Sequence, residues 1–71
     1  MSGYDASCWD GKVVEVRTGG DYRIELDNGR IVSACLSSEL RMHYVKLLPD
    51  DMVVVEIEDG ANIGKIIARL H

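Results

Sequence analysis

Residues 22–29 read Tyr-Arg-Ile-Glu-Leu-Asp-Asn-Gly, and this stretch decides the fold class. Tyr22, Ile24 and Leu26 alternate with charged residues, which is the pattern of a strand with one buried and one solvated face. Asn28 and Gly29 follow at once, and both residue types tolerate the positive φ of a type I′ turn. The stretch therefore predicts a strand that enters a tight β-hairpin.

Outward from this hairpin, the chain shows five strand patterns separated by turns. The predicted strands run from Val13 to Arg17, from Tyr22 to Asp27, from Arg30 to about Leu36, from Met52 to Glu58 and from Ile63 to Leu70. Thr18–Asp21 and residues 59–62 are rich in Gly, Asp and Asn, so we expect a turn and a loop there.

Side-chain alternation assigns a face to each strand residue. In the first strand, Val14 and Val16 share one face, and Val13, Glu15 and Arg17 share the other. In the last two strands, we expect Val53, Val55 and Ile57 on one face, Ile66, Ala68 and Leu70 inward, and Lys65, Ile67 and Arg69 outward.

The segment between the third and fourth strands changes period. Leu40 and Tyr44 fall at helical spacing, and Ser37 or Ser38 can cap the start. Residues 49–51, Pro-Asp-Asp, close the segment as a turn. We expect one short helix or 3₁₀ segment, with Tyr44 packing it against the sheet.

Three strands, a short helix and two further strands form the order of a five-stranded OB-fold barrel. Closing the sheet into a barrel covers its apolar face, and the helix plugs one end. An SH3-like barrel is the alternative, but it usually lacks a helical segment at this point. We predict an all-β, single OB-fold domain over residues 1–71, with residues 1–7 disordered.

Composition and charge exclude several classes of protein. The net charge is −4 and the sequence pI about 4.9, which argues against strong nonspecific nucleic-acid binding. The longest apolar run, Met52–Val55, is far too short to span a bilayer. The start of the chain lacks the pattern of a signal peptide, so we expect a cytoplasmic protein without membrane contact.

Neither metal binding nor catalysis is predicted. Cys8, Cys35, His43 and His71 are scattered without a Cys-x-x-Cys pair, and we expect the two cysteines to be free thiols. No Gly-rich phosphate loop or nucleophile elbow is present in the sequence. We therefore expect no cofactor and no enzymatic activity.

A set of residues along most of the chain resembles bacterial translation initiation factor one, without gaps from about Gly11 to Arg69. The matching residues are Gly11–Val16, Tyr22–Gly29, Ile31–Ala34, Leu40–Arg41, Tyr44–Leu48, Asp51, Val53, Val55–Ile57 and Gly64–Ile66. The resemblance implies an OB-fold monomer that binds the small ribosomal subunit and its ribosomal RNA at the decoding (A-site) region. It also implies support for the other initiation factors, without catalysis.

Seven residues are candidates for RNA contact. The resemblance carries over Arg41, Tyr44, Lys46, Lys65 and Arg69, while Arg23 and Arg30 flank the hairpin on the sheet that OB-folds commonly use for binding. Lys65 and Arg69 are four residues apart, so we expect them on one face about 13 Å apart. The alternatives are solvated side chains on a strand and, for the hairpin arginines, cross-strand pairing with Glu25 or Asp27.

The chain departs from the family pattern around the predicted helix. Glu39 stands where the family has Lys, Cys35 stands where it has His, and a Gly and a further Lys are lost. These changes lower the positive charge, so a divergent OB-fold module that binds a protein partner is the second hypothesis. Cations joined in one patch favour RNA, whereas cations paired one by one with carboxylates favour a protein partner.

Overall fold

The computed structural model describes residues 6–58 and 61–70. Its elements are β1 (Ala6–Val16), β2 (Asp21–Leu26), β3 (Ile31–Leu36), α1 (Ser38–Met42), β4 (Met52–Glu58) and β5 (Ile63–Arg69). This order confirms the predicted three strands, short helix and two strands. β1 begins within the segment expected to be disordered, since Ala6 and Ser7 are paired with β4. Residues 1–5, and Asp59 and Gly60 of the predicted loop, lie outside the described residues.

The five strands close into a barrel in the order β1-β2-β3-β5-β4. β1 closes the barrel because it pairs with two strands. Its residues Ala6–Lys12 pair with β4, and its residues Gly11–Val16 pair with β2. Every pairing is antiparallel except β3 with β5. The all-β, five-stranded OB-fold barrel is therefore confirmed.

The core of the barrel consists of the inward residues of each strand and one residue from the segment after α1. The buried hydrophobic residues are Val13, Tyr22, Ile24, Leu26, Val32, Ala34, Leu47, Val53, Val55, Ile57 and Ile66. Each large side chain contributes about 1.5–3 kcal/mol when fully buried. The predicted inward faces of the second and fourth strands are confirmed.

Gly64 marks a place where two strands approach too closely for any side chain. A Cβ at this position would lie 2.6 Å from Cγ1 of Val55 and 3.2 Å from the carbonyl oxygen of Glu56. Those distances are below van der Waals contact, so β5 can lie against β4 here only because the residue is glycine.

The hairpin between β2 and β3 forms where predicted but with a different turn. The Gly29 N–H donates to the Leu26 carbonyl at 2.9 Å, and the Leu26 N–H donates to the Arg30 carbonyl at 2.8 Å. Gly29 has φ 90°, whereas Asn28 does not have a positive φ. The loop is thus the three-residue type I turn followed by a left-handed glycine, and the type I′ prediction is wrong.

Two β-bulges break the simple alternation that the sequence predicts. In β1 the register with β2 shifts between Val13 and Glu15, so Val13 opposes the buried Ile24 whereas Glu15 opposes the exposed Arg23. The prediction that Val13 and Glu15 share one face is therefore wrong. In β5, Val55 opposes Ile66 and Val54 opposes Ala68, which makes Ile67 an extra residue.

An extra residue reverses the faces of the strand positions that follow it. Beyond the β5 bulge, Ala68 is only half-buried, Leu70 is exposed, and Ile67, expected outside, is half-buried. The predicted inward face of the last strand is therefore wrong after Ile66.

The helix α1 begins as the sequence predicts. Ser37 is its N-cap, and the Ser37 Oγ accepts a hydrogen bond from the Leu40 N–H at 3.3 Å. α1 packs against β3 and β5. A helix of the length and apolarity needed to cross a membrane does not occur in the described part of the chain.

Candidate nucleic-acid interface

The end of α1 is a Schellman motif, a pair of hydrogen bonds that stops a helix at a left-handed residue. The Tyr44 N–H donates to the Arg41 carbonyl at 3.1 Å, and the Val45 N–H donates to the Leu40 carbonyl at 3.2 Å. Leu40 and Val45 both pack against the core, which supplies the hydrophobic contact that usually accompanies this motif. The position of Tyr44 is therefore fixed from both sides.

Tyr44 occupies the left-handed position, which glycine usually takes. Its φ is 54° and its side chain is 92% exposed. The prediction that Tyr44 packs the helix against the barrel is wrong, because the helix ends at Met42 and the left-handed turn redirects the chain. An L-residue in this conformation costs roughly 1–2 kcal/mol.

The C-terminal end of β5 brings a second cation to the segment that follows α1. Arg69 Nη1 lies 3.4 Å from the Lys46 carbonyl oxygen, a long contact. Because Arg41 and Tyr44 belong to the same helix end, these four residues share one end of the barrel. We call Arg41, Tyr44, Lys46 and Arg69 the α1-end cluster.

Lys65 lies on a different face of β5 from Arg69. Lys65 opposes Glu56 on the outer surface, whereas Arg69 opposes the buried residue Val53 and projects at the rim of the barrel. Residues directly opposite in a ladder project to the same side. The prediction that Lys65 and Arg69 share a face is wrong, because the Ile67 bulge separates them.

Arg23 is held by a carboxylate on a neighbouring strand. Its Nη1 lies 3.8 Å from Oε1 of Glu15, and both side chains are about half exposed. The partner is therefore neither Glu25 nor Asp27, the alternatives that the sequence offers, because the residue opposite Arg23 in the β1–β2 ladder is Glu15. Such an exposed pair contributes about 0–1 kcal/mol, but it neutralises the cation locally.

Arg30 is tied to the connection between β4 and β5. Its Nη2 donates to the Ala61 carbonyl and to Oδ1 of Asn62, both at 2.8 Å, rather than to Asp27. The length of β3, about 16 Å by strand rise, separates this site from α1. Arg30 therefore does not belong to the α1-end cluster.

Within the described residues, the cations of the α1-end cluster are not paired with carboxylates. Across residues 6–58 and 61–70, the ion pair between Arg23 and Glu15 is the one formed within 4.0 Å. Three carboxylates, those of Glu39, Asp50 and Asp51, lie in the same helix and its following segment, and Asp51 Oδ2 accepts from the Leu48 N–H at 2.8 Å. The basic surface is therefore small, and no carboxylate of the described residues lies within 4.0 Å of its charges.

The two cysteines are free thiols, as predicted. In the strand registers Cys8 opposes Glu56, Glu56 opposes Lys65, and Lys65 opposes Cys35, so the thiols lie three strand spacings apart. That is a path of about 14 Å along the barrel wall, and β1 and β3 are not neighbouring strands. In the described ranges no three His, Cys, Asp or Glu residues gather as a metal site, and His71 lies outside those ranges.

Comparison with solved structures identifies the type of barrel. No model of a known protein family matches the chain. The solution structure of translation initiation factor one from the wolbachia endosymbiont strain TRS of Brugia malayi is similar over 100% of this chain and 85% of that chain, with 24% identity and a TM-score of 0.77. The barrel is an OB-fold like that of initiation factor one.

A second solved structure shares the same barrel within a longer chain. YjeQ from Thermotoga maritima is similar over 92% of this chain and 23% of that chain, with 23% identity and a TM-score of 0.75. The OB-fold therefore occurs both as nearly the whole of initiation factor one and as a part of a larger protein. Since one fold serves several functions, the function must be argued from the site.

Proposed function

We propose that the protein is a cytoplasmic translation initiation factor that binds the small ribosomal subunit at the decoding (A-site) region. It contacts ribosomal RNA there and assists the other initiation factors. The likeness to initiation factor one over the whole chain supports this role. The protein acts by occupying the site rather than by catalysing a reaction.

The α1-end cluster is the observation that carries the proposal. Three cations share one end of the barrel with the exposed Tyr44, and none of them is neutralised by a carboxylate within 4.0 Å in the described structure. Cations bind RNA by displacing counterions from phosphates. An exposed aromatic face stacks on a base that is not buried in a helix. The cluster therefore offers both kinds of contact at one place.

Lys65 and the two hairpin arginines differ in their expected contribution to RNA binding. Lys65 lies on the outer face of β5, outside the α1-end cluster, and contacts a phosphate only where the RNA also reaches that face. Arg23 and Arg30 contribute little to RNA affinity, because Glu15 and the Asn62 amide already hold their guanidinium groups.

Cosedimentation with purified small ribosomal subunits over a salt series tests the proposal. The protein should pellet with the subunits at low salt, and Arg41→Gln, Lys46→Gln and Arg69→Gln should each reduce the slope of log affinity against log salt by about 0.7–0.9. Arg23→Gln is the matched control, because it removes the same charge from an arginine that is already paired. Absence of pelleting by the folded protein at low salt would contradict the proposal, as would equal effects of all four variants.

The second candidate is an OB-fold module that binds a protein. The net charge of −4 and the exposed apolar side chains of Ile31 and Ile63 on the outer face favour it. In that case subunit binding is absent or insensitive to the three cluster variants, whereas replacing Ile63 with Ser weakens the protein complex. The same cosedimentation series therefore separates the two candidates.

A further inference from the structure

The edge of β1 beyond its bulge is a surface that the proposed function leaves unused. β4 pairs with β1 only as far as Lys12, and the backbone of Asp50 and Asp51 reaches Val13. The Val13 N–H donates to the Asp51 carbonyl at 2.9 Å, and the Asp50 N–H donates to the Val13 carbonyl at 2.7 Å. Past Val13, no strand within residues 6–58 and 61–70 pairs with this side of β1.

The backbone of Val16 points toward this open side. The Arg17 N–H donates to the Asp21 carbonyl at 2.9 Å, so the peptide groups of Arg17 face β2. Peptide groups of successive residues in a strand point to opposite sides. The N–H and C=O of Val16 therefore point away from β2, and the side chains of Val14 and Val16 are 40% and 45% exposed.

An open edge with exposed valines is a template for another strand. Proteins usually protect such an edge with lysine, proline or a charge that points inward. Here the two residues beside Val16 carry opposite charges, Glu15 and Arg17, and both project to the face opposite Val16, where Glu15 also lies 3.8 Å from Arg23. The edge is therefore complementary to itself.

We propose that this edge pairs antiparallel with the same edge of a second copy of the chain, about a two-fold axis at Val16. The two Val16 residues exchange a pair of N–H to C=O hydrogen bonds. On the other face, Glu15 of each copy lies opposite Arg17 of the other. An isologous contact of this kind uses one surface twice and closes as a dimer.

The charges select this register over its neighbours. A shift by two residues in one direction places Glu15 opposite Glu15, and a shift in the other direction places Arg17 opposite Arg17. Like charges directly opposite one another destabilise strand pairs, whereas opposite charges stabilise them. Only the register centred on Val16 satisfies both the hydrogen bonds and the charges.

The dimer differs from the monomer that the resemblance implies, and it does not depend on the proposed function. A contact of about four residues per chain buries far less than the roughly 1,200 Å² of a stable interface. The association is therefore weak and depends on protein concentration. The protein is monomeric when dilute and dimerises as its concentration approaches the millimolar range.

Sedimentation velocity of the full chain from micromolar to millimolar concentration tests the pairing. Glu15→Lys alone and Arg17→Glu alone each place like charges in both pairs, so each should weaken association about tenfold. An equimolar mixture of the two single variants restores opposite charges in both pairs and should associate as the wild type does. Recovery in the mixture is specific to this register.

Two further variants complete the test. Glu58→Lys makes the same charge change as Glu15→Lys at the far end of β4 and should not weaken association. Val16→Pro removes the N–H donor at the centre of the pair and should abolish association, while circular dichroism and thermal unfolding confirm that each variant is folded. A wild type that stays monomeric at millimolar concentration overturns the proposal. So does a dimer that neither single variant weakens, or a mixture that does not recover.

Discussion

Replacing Tyr44 separates the conformational cost of this residue from its function. Tyr44→Ala removes the aromatic ring but keeps the strain of an L-residue in the left-handed conformation, whereas Tyr44→Gly removes both the ring and the strain. Tyr44 is 92% exposed, so loss of the ring removes little buried surface and Tyr44→Ala should change the free energy of unfolding by less than about 0.5 kcal/mol.

Glycine relieves the left-handed backbone as well. An L-residue at φ 54° costs roughly 1–2 kcal/mol, and glycine gives back about 0.5–1 kcal/mol through the greater freedom of the unfolded chain. Tyr44→Gly should therefore stabilise the protein by about 0.5–1 kcal/mol. For a domain of this size that corresponds to a rise in Tm of roughly 2–8 °C.

RNA affinity should fall in both variants even though stability does not. Stacking of a base on an aromatic ring is worth about 1–3 kcal/mol, so affinity for small subunits should drop roughly 5-fold to 150-fold. Tyr44→Phe keeps the ring and should keep most of the affinity. Thermal unfolding by circular dichroism measures the first effect, and cosedimentation measures the second.

Two results would refute this reasoning. If Tyr44→Gly is no more stable than Tyr44→Ala, the chain does not hold a strained left-handed residue at the end of α1. If both variants bind small subunits as tightly as the wild type, Tyr44 has no part in the interface and its exposure needs another explanation.

Three further predictions concern the barrel. Gly64→Ala should lower the free energy of unfolding by about 1–3 kcal/mol, because the new Cβ overlaps Val55, and urea unfolding measures this. Gly29→Ala should lower the free energy of unfolding by roughly 1–2 kcal/mol in the same assay, because the residue has φ 90° although the space around it is open. An unchanged urea midpoint would argue against the left-handed turn. Arg30→Gln should lower stability by about 1–3 kcal/mol through loss of two hydrogen bonds, while cosedimentation with small subunits stays unchanged. A loss of subunit binding without a loss of stability would place Arg30 in the interface instead.

Local patterns predict this fold because most strands alternate without interruption. Tyr22, Ile24 and Leu26 point inward as their spacing requires, and Ser37 caps α1 as its hydroxyl predicts. The order of strands around one short helix then leaves few ways to cover the apolar face. These features depend on neighbours in sequence, which a single sequence displays.

The candidate interface is harder to predict because it depends on single-residue insertions and on contacts distant in sequence. The bulge at Ile67 moves Arg69 away from the face of Lys65, although nothing in the local pattern marks it. The contact of Arg30 with Asn62 joins residues 32 positions apart. The sequence indicates the end of α1 only in part. Leu40 and Val45 form the hydrophobic pair of a Schellman motif, but Tyr44 stands at the position where this motif usually has glycine.

A small basic surface on an acidic protein is consistent with RNA binding because charges act locally in salt. At physiological ionic strength the Debye length is about 8 Å, whereas the hairpin end of the barrel lies about 16 Å from α1. Carboxylates there, such as Asp27, are largely screened from a phosphate that touches Arg69. The net charge of −4 therefore opposes long-range attraction to RNA in general more than it weakens contact at the α1-end cluster. The cations of the cluster thus favour binding where shape brings them into contact with RNA, which is what the proposed role at one site on the ribosome requires.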